Sequence, residues 1–351
     1  MKITRVGVDL AKNVFQVHGV NQAGRGVFKR RLRRANWLRV LTQRLEPGCE
    51  IGMEACGGSH HWARELRSRG FDVKLVAPQF VKPFVKSLKN DVNDAEAICE
   101  AISRAHMRFV PIKTVQQQDI QALHRVRDTV MRHRKAKANQ IRGLVAEYGL
   151  VTPKTMAALR RTVPDWLEDA DNGLSAIFRE LLFGLWQELQ QLDDRLETLD
   201  QQLTAISDTH PDARRLKQLR GIGPLTSTAL VAQFGDGRHF KRGRQAAASV
   251  GITPRHHGTG GKNLIYGITK RGDRTLLIHG ARAVVSQAKR RDDRLSRWVT
   301  ALAAKTHTNV AAVALANKTV RVAWAMLPLR HRLRARVHAR LTTEIVSTEI
   351  N

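Results

Sequence analysis

The sequence predicts a three-part protein: a mixed α/β domain at the N-terminus, an α-helical coiled-coil middle and a mainly α-helical C-terminal domain. Three observations predict it. Short β-branched runs alternate with helix-like stretches through the first part, and some contain or end on an acid. Leucines then step by four and three residues over a long uninterrupted stretch. A Gly-x-Gly turn and a glycine-rich loop punctuate helical patterns in the last part. The boundaries fall at residues 1–115, 116–206 and 207–330, with a basic, partly disordered tail at 331–351.

Composition narrows the partners. At 351 residues the chain exceeds one typical domain, and 42% hydrophobic residues suffice for real cores. Lys+Arg 60 against Asp+Glu 31 gives a formal charge of +29, the footprint of a nucleic-acid-binding protein. Cys49, Cys56 and Cys99 form no CxxC pair, which argues against a zinc site or a disulfide framework and fits a reducing cytoplasm. No uninterrupted apolar run reaches the ~18 residues of a membrane span, and strand-like alternation begins at once where a signal peptide would lie. No membrane partner is expected.

Residues 2–10 form the first strand, with Val6, Val8 and Leu10 alternating with Arg5, Gly7 and Asp9. Burying Asp9 in such a run is costly unless a partner or a cation offsets it; a hydrogen-bonded strand end is the plainer alternative. Residues 15–20 pair with this strand as a hairpin, and residues 27–32 follow as a third strand. From Arg25 to Arg44 the chain has eight cations, among them Arg30, Arg31, Arg33 and Arg34, and no acid. They lie over a helical apolar stripe of Trp37, Leu38, Val40, Leu41 and Leu45. A solvated face is the ordinary reading of such a run, but the missing acids favour phosphate contact.

The fourth strand, residues 50–54, ends in Glu54, and Ser59 is placed as the cap of a helix over residues 60–69. Residues 71–76 make a fifth strand closed by Pro78. Residues 89–100 then open a helix on Asp91 and Asp94, which share one face if the helix begins near Asp91. An aspartate in that place is more commonly an N-cap. The ensemble, however, is the order of an RNase H-like fold, in which Asp9, Glu54, Asp91 and Asp94 converge on one edge of the sheet. Four carboxylates together cannot all stay ionised without cations. Two divalent ions, Mg²⁺ or Mn²⁺, about 4 Å apart relieve the repulsion and polarise a phosphodiester from both sides. These four residues are the candidate metal ligands.

In the middle part, Ile120, Leu123, Val130, Ile141, Leu144 and Tyr148 recur at helical steps beside a basic face. After Thr152-Pro153 the sign reverses, and Leu185, Leu189, Leu192, Leu196, Leu199, Leu203 and Ile206 form an a/d heptad seam. Two readings stand: a hairpin whose acidic arm neutralises its basic arm, or an antiparallel coiled coil that also joins subunits. Since a seam needs a partner, a homo-dimer or tetramer is expected.

Residues 216–230 look like a helix-hairpin-helix element. Gly221 and Gly223 permit a tight turn, and amides at the following helix start can hold a phosphate; an ordinary connection between helices is the alternative. Residues 251–273 form a glycine-rich loop with Thr259 and the cations Arg255, Lys262, Lys270 and Arg271, which suit phosphate binding. Ser249 sits in an apolar helical run and reads as packed. Residues 275–289 and 301–325 read as helices, with Trp298 and Trp324 turned inward.

Val6-Gly-Val-Asp-Leu-Ala-Lys12, Gly52-Met-Glu-Ala55 and Lys89-Asn-Asp-Val-Asn-Asp94 resemble the acidic signature of IS110/IS1111-type transposases, relatives of Piv-like DNA invertases. Residues 251–262 and 267–273 resemble the second hallmark of that family, so the resemblance spans almost the whole chain. It implies a RuvC-like N-terminal domain whose acids form a catalytic tetrad, a C-terminal transposase domain, and double-stranded DNA as substrate. It further implies an element-encoded guide RNA that selects the DNA, leaving base identity to pairing. The family carries a nucleophilic serine just before a glycine. Here that position is Thr259, whose added methyl makes a slower nucleophile. The segment from Asp273 to Ile278 is a few residues shorter than the family pattern. The expected function is a transposase or site-specific recombinase in the bacterial cytoplasm, at the nucleoid. Two alternatives remain open: a RuvC-like metal-dependent nuclease or resolvase that uses water, and an inactive nucleic-acid-binding copy.

Overall fold

Apolar and polar residues alternating at a period of two build a six-stranded mixed sheet in the first of the chain's two units, Met1–Thr114. The structure is a computed structural model that describes residues 2–86, 91–269 and 274–327; of Asp91, Val92 and Ile265 only the backbone is described. Strands β1 (Arg5–Leu10), β2 (Val14–Val20) and β3 (Gly26–Arg33) run antiparallel in succession. After α1 (Trp37–Arg44), β4 (Glu50–Glu54) joins parallel to β1; after α2 (Ser59–Arg67), β5 (Asp72–Val76) joins parallel to β4. Short α3 (Pro78–Val81), then α4 (Asp91–Ile102) and the two-residue β6 (Phe109–Val110) complete the unit, in the strand order β3-β2-β1-β4-β5-β6.

The two faces of this sheet have different coverings. Val6, Val8, Phe15, Val17, Ile51, Met53, Val73 and Leu75 are buried on one face with Trp37 and Leu41 of α1 and Ala63 and Leu66 of α2. Each such side chain contributes about 1.5–3 kcal/mol. Phe15, Trp37 and Trp62 meet edge to face, with ring centres 4.7, 4.9 and 5.6 Å apart. The other face carries Gly7 and Gly52, register partners across β1 and β4. A Cβ on Gly7 would stand 2.1 Å from the Ala95 carbonyl oxygen, and one on Gly52 2.6 Å from Ile102 Cγ2. The two glycines form a saddle on which α4 rests its own backbone. At the start of β4, burial pushes the Glu50 carboxyl up, but Lys74 and Arg5 (Nε at 2.6 Å) outweigh it and hold the group below its ordinary value.

Ser59 does not cap α2 as the sequence predicts. Gly58, left-handed at φ 84°, turns the chain one residue earlier. Ser59 becomes the first helical residue, and its buried hydroxyl donates to the Cys56 carbonyl at 2.8 Å.

Among the described residues, the second unit, Val115–Asn351, is helical apart from one ribbon. α5 (Val115–Ala146), α6 (Met156–Glu168) and α7 (Ala176–Thr209) come first. Arg127 pairs with Asp200, Arg134 with Asp193, and Lys137 with Glu188 at 2.5 Å. Since one partner's number falls as the other's rises, α5 and α7 are antiparallel. Leu185, Leu189, Leu196, Leu199 and Leu203 are buried, and Leu192 and Ile206 partly so. The heptad seam therefore has its partner within the chain, and covering it needs no second subunit. Arg160 of α6 also reaches Asp193, at 2.8 Å, so that carboxylate holds two guanidinium groups. Asp193→Ala is expected to cost about 2 kcal/mol, since hydrogen bonds to charged groups carry about 1.5–3 kcal/mol; a lowered urea midpoint measures it.

Then follow α8 (Pro211–Leu216), α9 (Pro224–Phe234), α10 (Gly243–Ser249), β7 (Pro254–Thr259), β8 (Lys262–Ile268), α11 (Arg274–Gln287), α12 (Arg294–Lys305) and α13 (Thr308–Leu327). α9 is apolar nearly all round, and it is buried from Thr226 to Ala232 and at Phe234, which makes it the central helix. Two of its hydroxyls are bonded across the core: Ser227 Oγ bonds Ser207 Oγ at 2.9 Å, and Thr228 Oγ1 meets His124 Nε2 at 3.0 Å. The helical stretch expected over residues 301–325 is divided between two helices. Thr306 is extended at the end of α12, and His307 Nδ1 accepts from the Asn309 amide at 3.1 Å to start α13. Asn317, Lys318 and Arg321 interrupt α13 in sequence, yet with a mean hydropathy of 1.3 it is long and apolar enough to cross a membrane. In the structure Ala312, Leu315, Ala316, Val320, Ala323 and Leu327 place it in the core of this unit. Trp298 and Trp324 pack against that core as expected, and Trp324 Nε1 donates to the Gly237 carbonyl at 2.9 Å. The tail at 331–351 lies outside the described residues.

Candidate active site

Two strands and one helix bring the predicted acids together in the first unit. β1 and β4 are parallel with Val8 opposite Met53, so Asp9, next to last in β1, and Glu54, last in β4, stand on one level of neighbouring strands. By alternation both lie on the face of Gly7 and Gly52, the face that carries α4. That helix starts at Asp91, so Asp91 and Asp94 occupy its first turn, three residues apart. The Asp91 side chain lies outside the described residues.

Electrostatics shows the convergence. The Glu54 carboxyl is pushed up from its ordinary value by burial, then by the charges of Asp9 and Asp94. The Cys56 thiol is pushed up as well, by burial and by Glu54 and Asp9. Hard carboxylates from three elements repelling one another are the donor set that suits a divalent cation such as Mg²⁺ or Mn²⁺. Among the described residues no three acids or histidines stand close enough to hold an ion. Sequence reading passed over the support. Gly7-x-Asp9 and Gly52-x-Glu54 repeat one pattern, a glycine two residues before each acid, which marks a helix pressed onto the sheet beside both acids.

The basic candidates divide. Arg30, Arg31, Arg33 and Arg34 are exposed on or beside the edge strand β3, where cations also discourage strand pairing. Arg34 lies over the Trp62 ring at 5.2 Å. In the second unit, Gly221 has φ 82° and its Cα faces the Gly280 carbonyl of α11; a Cβ on Gly280 would stand 1.9 Å from the Gly221 oxygen. Gly221 thus serves a backbone-to-backbone contact that the sequence did not disclose. Gly223 is exposed and precedes α9. Beside this turn is a cleft of about 380 Å³ with Arg220 and Arg291 at its wall. Arg220 is bound to Asp293 at 2.7 Å, and with Ser296 it holds that carboxyl far below its ordinary range.

Thr259 is not in a loop. Residues expected to form a glycine-rich loop make the β7–β8 ribbon, and Thr259 is its last β7 residue, paired with Lys262. Gly260 and Gly261, at φ 53° and 77°, form a two-residue turn of the type that tight hairpins favour. Thr259, Arg255 and Lys262 are all exposed. Lys270 and Arg271 lie outside the described residues. Ser249 is half-buried, its hydroxyl donating to the Ala246 carbonyl at 2.8 Å.

Two family models match separate stretches of the chain. Residues 213–296 match the family model described as "Transposase IS116/IS110/IS902 family". Residues 6–150 match the IS110-type DEDD model described as "Transposase", which implies a RuvC-like fold and a dependence on divalent metal. A "Probable family 20 transposase" of Pseudomonas aeruginosa PAO1 is 47% identical over 331 residues, covering 93% of this chain and 97% of the relative. The "Transposase for insertion sequence element IS1111A" of Coxiella burnetii is 42% identical, covering 92% and 89%. The "Transposase for insertion sequence element IS1328" of Yersinia enterocolitica is 40% identical, covering 92% and 96%. A sheet that gathers acids, an exposed hydroxyl on a basic ribbon, and likeness over nearly the whole chain have one common explanation: the chain belongs to the IS110 family of transposases.

Proposed function

We propose that this transposase cuts and rejoins DNA of its insertion sequence with two sets of residues: Asp9, Glu54, Asp91 and Asp94 hold divalent metal, and Thr259 supplies the attacking hydroxyl. The carrying observation is that the end of β1, the end of β4 and the first turn of α4 bring like charges together, felt at Glu54 as a raised carboxyl. Bound there, Mg²⁺ supplies Lewis-acid polarisation of a phosphodiester oxygen. The Thr259 oxygen attacks phosphorus, forming one new P–O bond as one bridging P–O bond of the DNA breaks. The hydroxyl proton leaves with the departing oxygen, so the released DNA end is a free hydroxyl. Bond number is conserved, and a different end can reverse the step, which joins DNA without nucleotide hydrolysis. Lys262, opposite Thr259 in register, and Arg255 stabilise charge on the phosphate.

Around this chemistry we assign the remaining roles. Residues 1–115 form the catalytic domain, 116–206 a coiled-coil linker, 207–330 the transposase domain with a helix-hairpin-helix-like turn at Gly221 and Gly223, and 331–351 a basic tail. Lys270 and Arg271 join Arg30, Arg31, Arg33 and Arg34 as phosphate contacts. The working complex is a homo-dimer or tetramer with a guide RNA encoded beside the gene, in the cytoplasm at the nucleoid. The charge of +29 supports two polyanionic partners.

The test is to trap the full chain on end-labelled element DNA with Mg²⁺, with and without the flanking non-coding RNA, and to map the adduct. An adduct at Thr259 that needs the RNA and disappears in Thr259→Ala is expected. Cleavage that survives Thr259→Ala without an adduct would establish the water-using nuclease instead. Binding without any cleavage, unaltered by Asp9→Ala, would leave only the inactive copy.

A further inference from the structure

Two large apolar side chains stand in water on the ribbon that carries Thr259. Leu264 is 53% exposed and Tyr266 49%. β7 is exposed along its whole length, so burial within this unit does not account for them. The register pairs Thr259 with Lys262 and His257 with Leu264. These four therefore share a face, and Tyr266, two residues past Leu264, stands at the irregularity where the pairing shifts between His256 and Pro254. At a rise of ~3.3 Å per residue, Tyr266 lies roughly 13 Å along the ribbon from the Thr259–Lys262 pair.

The surrounding charge selects the occupant. No aspartate or glutamate occurs between Asp236 and Asp273, while Arg238, Lys241, Arg242, Arg244, Arg255 and Lys262 do. So cationic a stretch of chain draws a polyanion. An exposed ring among cations is the arrangement by which proteins hold nucleobases, because every base offers a π-face. A base inside an intact duplex is already stacked on its neighbours. The ring gains a partner only where a base has left the helix.

We propose that Tyr266, backed by Leu264, stacks on an unpaired DNA base displaced from the duplex beside the phosphate that Thr259 attacks. The place of this base along the DNA rests on the Thr259 reading; the stacking itself is measured without cleavage.

The experiment titrates the full-length protein into two short duplexes of one sequence, one fully paired and one carrying a single bulged 2-aminopurine. The native protein is expected to bind the bulged duplex about 5- to 100-fold more tightly and to quench the 2-aminopurine, following the stacking gain per base. Tyr266→Ala should abolish the preference and the quenching while leaving affinity for the paired duplex unchanged. Tyr266→Phe should keep both. Should the alanine variant lose paired-duplex binding, Tyr266→Leu decides, since it keeps apolar bulk and removes the π-face. Equal affinity for both duplexes, or quenching that persists in Tyr266→Leu, overturns the proposal. Thr259→Val separates the two readings: base capture survives in it whether or not Thr259 is the nucleophile.

Discussion

Gly7→Ala is expected to destabilise the N-terminal unit by about 3 kcal/mol or more, the upper end of overpacking costs. The added methyl would meet the Ala95 carbonyl oxygen at 2.1 Å and the Cys99 amide nitrogen at 2.5 Å. Both are backbone atoms of α4, so no side chain can rotate away. The helix must lift, and its first turn carries Asp91 and Asp94. Loss of stability and loss of cleavage should therefore appear together. Gly57→Ala is the control, because nothing lies within 4 Å of its Cβ position. Urea unfolding of both variants measures the difference. A Gly7→Ala midpoint equal to that of Gly57→Ala would mean that α4 does not rest on β1.

Glu54→Gln is expected to lower strand cleavage about 10³-fold while making the metal-free protein more stable at neutral pH. The rate effect follows from the several kcal/mol that metal-assisted charge stabilisation supplies, at 1.36 kcal/mol per tenfold. The stability effect follows from the raised Glu54 carboxyl. A folded-state value above the unfolded one means that the folded protein holds the proton more tightly. Its contribution is present below the ordinary glutamic acid range and is lost as pH rises through the folded value. Glutamine keeps the volume and removes this loss. Thermal unfolding without metal should show the variant above the native protein at pH 7, with the gap closing toward pH 4. Mg²⁺ or Mn²⁺ should raise the native melting temperature and raise that of the variant less. A Glu54→Gln protein less stable than native at every pH would sink this account. Glu50 behaves oppositely. Its carboxyl is held low by Lys74 and Arg5, so its contribution is present above the ordinary range and lost as pH falls through the folded value.

The acids were legible because a strand reports its own alternation. Asp9 and Glu54 break apolar runs that otherwise repeat every two residues, and local sequence is enough to notice them. The hinge of the site was not legible in the same way. Gly7 and Gly52 matter through atoms of α4, dozens of residues away in sequence, and a glycine in a strand has no periodic signature. Gly221 and Gly280 are a second such pair. Thr259 was recognised from its neighbours, but its setting was misread as a loop. Gly260 and Gly261 are a turn signal that fits either, and β8 carries no period-two alternation that would have marked it as a strand.

By itself, the sequence determined the charge of the partner, the first five strands and the helices α1, α2 and α4 of the first unit, the acids within them and the family; α3 and the two-residue β6 went unread. The family rests on the resemblance of short motifs; the rest rests on composition and on periods of two and 3.6 residues, which neighbouring side chains impose without reference to distant ones. Only the tertiary structure decided what each element faces. It placed α5 against the heptad seam of α7, put the apolar α13 in a core, and set Leu264 and Tyr266 in water on the ribbon of Thr259. An apolar stripe states that it needs covering; which surface covers it depends on chain connectivity and close packing, and those are settled only when the whole unit folds.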